Sequence, residues 1–340
     1  MILSFLAPSD RKDIFMSIFR SAESVSPKHP DKLCDQISDA ILDAYLANDP
    51  DSRVAIETVG GHGKVLVIGE VTSDHKVEIE PIVKRIAGVS VDVEARVVKQ
   101  SSEIAQGVDN GGAGDQGIMV GYACRDTPEL LPLETVLSRR LNKSLYSKWP
   151  YDGKTQITLK DGIIESVVAS FQNAPAAELA KSVKQWLKLE ELARYKSDVI
   201  LCVNPAGDWE IGGFSADTGL TGRKLVVDNY GPHIPIGGGA FSGKDPSKVD
   251  RSAAYMARRI AIDYLLKRQA KETFVELAYA IGRIEPLEAT VTIDGAKEVI
   301  SGYDLSPRGI ISYLDLKHCK YEPTAQYGHF GHDEFSWEKR

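Results

Sequence analysis

The spacing of apolar and polar residues divides most of the chain into short helices and strands. Apolar residues from Leu33 to Ala44 recur at helical spacing, which predicts a helix over residues 31–47. Two runs rich in β-branched residues follow at 53–59 and 64–72, and a glycine-rich segment joins them. This order predicts a helix followed by a β-hairpin.

The same order of elements recurs twice more along the chain. The further predicted elements are strands 155–159 and 163–171, helix 176–189, helix 246–268, and strands 273–281 and 287–293. Because such elements bury one face of a sheet under helices, we predict an α/β (α+β) fold of three similar subdomains in a pseudo-threefold arrangement. The predicted segments are a disordered N-terminal extension at 1–17 and subdomains at 18–105, 112–211 and 213–340.

The composition is that of a globular protein, and it argues against some functions. Of the 340 residues, 43% are hydrophobic, and 41 basic and 48 acidic residues give a net charge of −7. A net acidic chain argues against a general nucleic-acid-binding protein, and no apolar run is long enough for a membrane span. The four cysteines show no metal-ligand spacing, which favours reduced thiols and predicts a cytoplasmic protein.

The most informative segment is the glycine-rich loop at residues 237–248, which reads GGGAFSGKDPSK. Its glycines allow the backbone to approach a ligand and present N–H groups, while Lys244 and Lys248 supply positive charge. Asp245 and Pro246 predict a helix start, because aspartate suits the N-cap and proline the first helical position. The loop is therefore predicted to bind a polyphosphate.

The same loop nearly matches the phosphate-binding loop of P-loop kinases and ATPases. However, Asp245 stands where that motif needs serine or threonine for its magnesium ion. No predicted strand leads directly into the loop either. A P-loop kinase or ATPase is therefore a less favoured hypothesis.

Several other polar residues allow two interpretations each. The sequence HPDK at 29–32 could face a polyanion and hold magnesium, or could simply cap the following helix. Glu57 and Glu70 lie inside apolar strand runs, where they could meet a cation or a substrate ammonium group, or could point out from a half-exposed sheet. The glycine-rich segment 100–114 could be a mobile lid or a plain surface connection.

Two further glycine-flanked turns carry charged residues. Asp115 lies in one, and Asp217, Arg223 and Lys224 lie in the other, where arginine could form paired hydrogen bonds with phosphate oxygens. Trp209 could stack on a base or could simply be packed. No Ser-His-Asp or Cys-His arrangement stands out, so the residues favour magnesium polyphosphate chemistry that depends on charge stabilisation and positioning.

Taken together, these segments resemble the S-adenosylmethionine synthetase (methionine adenosyltransferase) family. The resemblance extends from about Glu23 to Lys339. The segments that carry it are 29–32, 112–117, 220–224, 237–250 and the tail at 327–331. The combination of GAGDQG with GGGAFSGKDPSK is hard to find in another family.

The resemblance implies that ATP and methionine are joined to form S-adenosylmethionine. The methionine sulfur attacks C5′ of the ribose, the whole triphosphate leaves, and the bound tripolyphosphate is hydrolysed to pyrophosphate and phosphate. A thioether carries no proton, so the attack needs no general base. The leaving group carries about four negative charges, so that cations and magnesium are needed to stabilise it.

The family's functional residues carry over to positions of this chain by resemblance alone. The implied catalytic residues are His29, Lys154, Arg223, Lys244 and Lys248. The implied ATP-binding residues are His29, Asp152, Lys154, Asp208, Trp209, Asp217, Arg223, Lys224, Ala240 and Lys244. The implied methionine-binding residues are Glu70, Gln100, Asp115, Asp217 and Lys248. Asp31 and Asp250 are implied ligands of Mg²⁺, with two ions per site, Glu57 is an implied K⁺ ligand, and residues 100–110 match the gating loop.

The family also implies an assembly of subunits. Its active sites lie between two subunits, which predicts a homodimer or a dimer of dimers. This chain departs from the family pattern at Pro27 and Lys28 before the histidine and at Asp208, where a basic residue is usual. A non-catalytic regulatory homologue of the same family is the alternative, but such a subunit would be expected to lose part of the charge set.

Overall fold

The chain forms three four-stranded sheets, each packed against helices. The computed structural model describes residues 17–100, 111–189 and 195–340. Its strands are β1 (Phe19–Val25), β2 (Arg53–Gly61), β3 (Lys64–Thr72), β4 (Asp92–Val98), β5 (Gly117–Cys124), β6 (Gly153–Lys160), β7 (Ile163–Phe171), β8 (Tyr195–Val203), β9 (Gly219–Leu220), β10 (Glu272–Tyr279), β11 (Glu288–Ile293) and β12 (Ala296–Val299). Its α-helices are α1 (Pro30–Leu46), α2 (Ile79–Ala87), α3 (Leu133–Tyr146), α4 (Ala176–Leu187), α5 (Leu225–Asp228), α6 (Val249–Arg268) and α7 (Pro307–Tyr313).

The three sheets exchange one strand each in a cyclic order. The strand orders are β4-β3-β2-β9, β1-β6-β7-β8 and β12-β11-β10-β5. In each sheet three strands follow one another along the chain, and the fourth comes from elsewhere and pairs antiparallel with the first of the three. In the sequence, this fourth strand precedes the helix of one unit. In the structure, it pairs with the sheet of the next unit. The three units are therefore interlocked.

Each sheet buries one face against its helices. Helices α1 and α2 cover the first sheet, α3 and α4 the second, and α6 the third. Helix α6 is buried along most of its length, and Tyr255 on it stacks on Trp337 of the C-terminal segment with ring centroids 3.8 Å apart. The C-terminal segment thus completes the core around α6.

The predicted elements are present, and the predicted α/β fold of three similar units is confirmed. The sequence pattern missed the third strand of each unit and the exchanged strand, because β9 has only two residues and β4 is half-exposed. The first hairpin has a tighter turn than predicted, since β2 continues to Gly61 and only His62 and Gly63 form the turn, both with positive φ.

The predicted start of the third long helix is wrong by three residues. Helix α6 begins at Val249 with Lys248 at its N-cap. Asp245 does not cap it, because its carboxylate accepts a hydrogen bond from the Val54 N–H (2.7 Å) and its own N–H donates to the Val54 carbonyl (3.1 Å). The segment before α6 is thus held against strand β2, where Lys244 forms an isolated antiparallel bridge with Ala55.

Two predicted segments lie outside the described residues. These are nearly all of the N-terminal extension at 1–17 and nearly all of the gating loop at 100–110. The predicted subdomain boundaries stay predictions, although β1, β5 and β9 each belong to a sheet outside the predicted subdomain that contains them. Within the described ranges, the helices are too short or too polar to cross a membrane.

Candidate active site

The N-terminus of helix α1 presents two of the predicted site residues. His29 is the N-cap, with its Nδ1 accepting a hydrogen bond from the Asp31 N–H at 3.2 Å, and Pro30 follows at the first helical position. Only 3% of His29 is exposed. Burial, with the positive charges of Lys224 and Lys154, lowers the pKa of His29 to about 3, so that its ring is neutral near pH 7. The capping interpretation of this segment therefore holds for His29.

Asp31 collects two cations and a backbone donor. Its carboxylate, which has no exposed surface, lies 2.6 Å from Lys224 Nζ and 2.9 Å from Arg223 Nε, and accepts from the Leu220 N–H at 3.0 Å. Burial opposes its ionisation, but the hydrogen bonds from Lys224 and the Leu220 N–H outweigh this and lower the pKa of Asp31. We call Asp31, Arg223 and Lys224 the Asp31 cluster.

The glycine-rich loop forms a second charged group, the Lys244 cluster, consisting of Lys244, Asp250 and Gly239. Lys244 Nζ lies 2.7 Å from Asp250 Oδ2, and the Gly239 N–H donates to Asp250 Oδ1 at 2.8 Å. Gly237 packs directly on β5, because an added Cβ would lie 2.0 Å from the Ile118 carbonyl oxygen. The loop glycines are thus required by close contacts as well as by their freedom to approach a ligand.

Lys248 lies beside the same loop but has a different partner. Its ammonium group forms an ion pair with the carboxylate of Asp245, which is itself bound to strand β2. Each of the two lysines of the loop is therefore held by one aspartate. The Lys244 side chain remains 22% exposed and the Lys248 side chain 18% exposed. Both ammonium groups remain able to meet an anion from solvent.

The chain segments that carry the two clusters lie in contact. An added Cβ on Gly222 would lie 2.4 Å from the Cβ of Ala240, so the turn before Arg223 touches the glycine-rich loop. This contact brings the predicted phosphate-binding segments 220–224 and 237–250 together. The sequence pattern alone gave no measure of their proximity.

Three further residues predicted to bind ATP, Asp152, Lys154 and Trp209, lie near strand β6 of the second sheet. Asp152 accepts a hydrogen bond from the Gly213 N–H at 3.0 Å, and burial raises its pKa. Lys154 is exposed on β6, opposite Ser170, whose hydroxyl accepts from Trp209 Nε1 at 3.1 Å. The positive charge of Lys154 also contributes to lowering the pKa of His29. Lys154 therefore lies close to the Asp31 cluster.

Asp208, which departs from the family pattern, has a structural partner. Its carboxylate accepts hydrogen bonds from the N–H of Ala176, the first residue of α4, at 3.0 Å and from the Asn204 amide at 2.9 Å. An acid at a helix N-terminus is favourable for the helix dipole. This position therefore stabilises α4 in this chain, and its predicted contact with ATP stays a prediction.

The carboxylates predicted to bind methionine and potassium do not belong to either cluster as defined. Glu57 and Glu70 are exposed on the outward faces of β2 and β3, so the interpretation that they point out from a half-exposed sheet holds within one chain. Asp115 and Asp217 are exposed, and each accepts from the N–H of the next residue at 2.7 Å. Their predicted roles are not decided by these positions.

Gln100 ends the described part of the segment before the predicted gating loop. Its side-chain oxygen is shielded from solvent and accepts no hydrogen bond from the residues on either side of the gap at 101–110. Asp115 lies two residues before Gly117, whose added Cβ would lie 3.9 Å from Asp250 Oδ1. The turn that carries Asp115 thus borders the Lys244 cluster.

Sequence reasoning missed a row of four aspartates on α1. Asp31, Asp35, Asp39 and Asp43 recur every four residues and therefore share one face of the helix. They accept, in order, from the backbone N–H of Leu220, Gly222, Gly243 and Tyr321. We call these four residues the aspartate row. Their regular spacing is present in the sequence, but the helix was predicted from its apolar positions alone.

Burial affects the aspartate row unevenly. Burial raises the pKa of Asp35 to about 6, with the nearby Lys32 ammonium opposing the shift, and burial also raises the pKa of Asp43 to about 6. Lys32 lies 2.9 Å from Asp35 and 2.6 Å from Asp228, which compensates its burial. The helix therefore carries its charges in paired or hydrogen-bonded form.

Comparison with known proteins identifies the family. Family models of S-adenosylmethionine synthetase match the chain over residues 17–107 (N-terminal domain), 110–209 (central domain) and 211–339 (C-terminal domain). The chain belongs to the S-adenosylmethionine synthetase family. The resemblance predicted from the sequence motifs is confirmed.

Curated relatives agree with this assignment. S-adenosylmethionine synthase of Salinibacter ruber is 42% identical over 95% of this chain and 96% of its own length. That of Treponema denticola is 44% identical over 94% of this chain and 95% of its own, and S-adenosylmethionine synthase 1 of Frankia casuarinae is 42% identical over 94% and 95%. S-adenosylmethionine synthase is another name for methionine adenosyltransferase. The names of these relatives therefore confirm the predicted enzyme class.

The surroundings of Asp31 and Asp250 bear on whether this fold could hold Mg²⁺. Among the described residues, no three histidine, cysteine, aspartate or glutamate side chains come together to hold a metal ion. Mg²⁺ usually takes one or two carboxylates together with substrate phosphates. Asp31 and Asp250 are single carboxylates beside lysines, so each fits an ion that is held jointly with a triphosphate.

Proposed function

We propose that this chain makes S-adenosylmethionine from ATP and L-methionine and then hydrolyses the bound tripolyphosphate. The methionine sulfur attacks C5′ of the ribose, the C5′–O bond breaks, and the triphosphate leaves with the bonding electrons. Hydrolysis of tripolyphosphate then yields pyrophosphate and phosphate. The observation that carries the proposal is the contact between the Asp31 cluster and the Lys244 cluster through Gly222 and Ala240.

The two clusters supply what the departing triphosphate needs. Arg223 and Lys224 are held on Asp31, and Lys244 is held on Asp250, so each cation has a defined position before a ligand binds. Preorganised charge of this kind stabilises a transition state in which negative charge develops. Mg²⁺, when bound at Asp31 and Asp250, supplies further neutralisation of the phosphate charge.

His29 acts in this proposal as a neutral hydrogen-bonding group. Its Nδ1 accepts from the Asp31 N–H, and its low pKa keeps the ring uncharged at neutral pH. A neutral ring carries its proton on Nε2, which can donate to the oxygen that leaves C5′. Lys154 and Lys248 complete the catalytic set, and Asp152, Asp208, Trp209, Asp217 and Ala240 complete the ATP site.

Methionine binding is assigned to the exposed carboxylates and amide near the Lys244 cluster. The proposed ligands are Glu70, Gln100, Asp115, Asp217 and Lys248. Glu70 meets the ammonium group of methionine and Lys248 its carboxylate. The support is that the Asp115 turn borders Asp250 and that the Gln100 oxygen has no donor among the described residues. Glu57 is the proposed K⁺ ligand.

The active unit is proposed to be a homodimer or a dimer of dimers with sites between subunits. The outward face of the first sheet supports this, because it carries Glu57 and Glu70 beside exposed apolar side chains, with Ile68 44% and Val98 61% exposed. A large exposed apolar surface favours contact with another subunit. A cytoplasmic location is part of the same proposal.

A product assay tests the proposal. The purified full-length protein is incubated with ATP, methionine, Mg²⁺ and K⁺, and products are identified by mass spectrometry and phosphate analysis. We expect S-adenosylmethionine, pyrophosphate and phosphate in equal amounts. ADP as the product would instead indicate a kinase, and ATP binding without turnover would indicate a regulatory homologue. Omission of methionine is the control for unrelated ATP hydrolysis.

A further inference from the structure

Behind the Lys244 cluster lies a buried ion pair that joins helices α1 and α6. Arg251 Nη1 lies 2.6 Å from Asp39 Oδ1 and Arg251 Nη2 lies 3.0 Å from Asp39 Oδ2, a paired geometry that is well suited to arginine and carboxylate. Both side chains are fully buried. The pair therefore lies beneath the glycine-rich loop, away from solvent.

The pair also binds the backbone of the loop itself. Asp39 Oδ1 accepts from the Gly243 N–H at 2.9 Å, and Arg251 Nη1 donates to the Lys244 carbonyl at 3.1 Å. The Gly243 N–H, which lies one peptide group before that flanking Lys244, and the Lys244 carbonyl are thus anchored on opposite members of one ion pair. Strand β2 also holds this main chain, because the Ile56 N–H donates to the Gly243 carbonyl at 3.0 Å and the Asp245 N–H donates to the Val54 carbonyl at 3.1 Å. The ion pair adds a side-chain anchor to these backbone bonds.

Other contacts restrict the guanidinium group of Arg251. Its Nη2 donates to Thr324 Oγ1 at 3.0 Å and its Nε donates to the Tyr255 hydroxyl at 2.9 Å. The Tyr321 ring lies against it, with the guanidinium carbon 4.2 Å from the ring centroid. With its donors satisfied and one face covered by an aromatic ring, the guanidinium has little freedom to move.

We infer that the Arg251–Asp39 pair is a positioning unit that sets the place of the Lys244 ammonium group relative to the Asp31 cluster. Asp39 lies two helical turns beyond Asp31 on the same face of α1, so one rigid helix carries both the anchor of Lys244 and the anchor of Arg223 and Lys224. The inference rests on the proposed function, because it assigns a purpose to the position of Lys244. Neither member of the pair touches the substrate.

A second buried ion pair on α6 provides a matched control. Arg258, two turns beyond Arg251, is fully buried and pairs with Glu338 at 2.8 Å. Its remaining donors bind the carbonyl groups of Tyr122, Glu129 and Leu130, which lie outside the glycine-rich loop. Loss of either arginine should reduce stability, but only loss of Arg251 should move Lys244.

The test measures binding of diimidotriphosphate, a tripolyphosphate analogue that resists hydrolysis, in magnesium buffer by titration calorimetry. The fitted dissociation constant does not depend on the fraction of the protein that is folded and able to bind. The fitted stoichiometry reports that fraction separately. We expect Arg251→Lys, which cannot form the paired geometry, to weaken binding by about 10-fold, and Arg258→Lys to weaken it by less than about 2-fold. Asp39→Asn, which keeps the side-chain shape, should act in the same direction as Arg251→Lys and serves if that variant does not fold.

A double-mutant cycle decides whether Arg251 acts through Lys244. In a Lys244→Met background the effect of Arg251→Lys should shrink to less than about 2-fold, because no ammonium group is left to misplace. An equal effect in both backgrounds, or an equal effect of Arg258→Lys, would overturn the positioning role alone. A wild-type protein that neither binds diimidotriphosphate nor forms S-adenosylmethionine would overturn the proposed function as well.

Discussion

The Lys224 ammonium group lies 2.6 Å from Oδ2 of Asp31, a carboxylate with no exposed surface. Arg223 Nε approaches the other oxygen of the same carboxylate at 2.9 Å. One buried anion therefore fixes two cations. The side chain of Lys224 remains 16% exposed and that of Arg223 remains 47% exposed. In the proposed reaction, a triphosphate would meet cations whose orientation is already set, and Mg²⁺ would meet a carboxylate that is already ionised.

Replacing Asp31 with asparagine should remove this organisation. Asp31→Asn leaves Arg223 and Lys224 without their common anion and removes a proposed Mg²⁺ ligand, so we expect S-adenosylmethionine synthesis to fall by about 100-fold or more. Initial rates over a range of Mg²⁺ concentrations measure the effect. Asp43→Asn is the control, because Asp43 belongs to the same row but binds the backbone of Tyr321 and Glu322 instead. Equal losses in both variants would contradict the assigned role of Asp31.

Lys244→Ala should reduce synthesis sharply while the fold survives. Its side chain is partly exposed and its ammonium group contacts Asp250 alone among the described carboxylates, so its removal costs little packing. Loss of one preorganised charge at a transition state costs about 100- to 1,000-fold in rate. Steady-state rates, with circular dichroism to confirm folding, provide the measurement. Lys267→Ala, at the exposed far end of α6, is the control, and unchanged activity of Lys244→Ala would remove this lysine from the mechanism.

Potassium should raise the activity through Glu57. The carboxylate is exposed on the outward face of β2, where a cation bound between subunits would compensate its charge. Rates are compared in K⁺ and in a bulky organic cation, and Glu57→Gln should lose most of the stimulation. Glu94→Gln, on the neighbouring part of the same sheet, should retain it, since Glu94 pairs with Lys64 and Arg96. An enzyme indifferent to potassium would count against the assignment.

The stability of the protein should fall as the pH decreases from neutrality, in part because of His329. Burial, with the positive charge of Arg251, lowers the pKa of His329 well below its ordinary value, whereas the ring titrates near 6.5 in the unfolded chain. The unfolded state therefore takes up a proton first, and stability present above about pH 6.5 is lost as the pH falls. The stability should therefore be lower at pH 5 than at pH 7.5.

Urea unfolding at the two pH values checks this expectation. His329→Gln should have a smaller difference between the two midpoints than the wild type, whatever its absolute stability. The same replacement at the exposed His75 is the control. An unchanged pH difference in His329→Gln would show that this histidine does not contribute to the acid sensitivity.

The sequence allowed the repeated units and the charged loops to be predicted because both depend on local patterns. Apolar spacing located α1, and glycines with lysines located the loop before α6. The exchange of β1, β5 and β9 between sheets could not be predicted, since strand pairing over more than a hundred residues leaves no local signal. The start of α6 was misjudged because Asp245 binds Val54, a partner nearly two hundred residues away.

The candidate site shows the same division. Individual residues were predicted by motif, but their grouping into an Asp31 cluster and a Lys244 cluster depends on ion pairs that no motif contains. The contact of Gly222 with Ala240, which brings the two segments together, could not be predicted from a motif either. Asp39 and Arg251 were missed because neither stands in a glycine-rich segment. Their importance depends on hydrogen bonds to the main chain, and such bonds are not encoded in residue type.

The aspartate row makes helix α1 intolerant of any change in its length. Each added or deleted residue would rotate the remainder of the helix by about 100°, which would turn every later aspartate away from the loop that it binds. A deletion between Asp31 and Asp39 would therefore separate the two halves of the proposed phosphate site even if every charged side chain were retained.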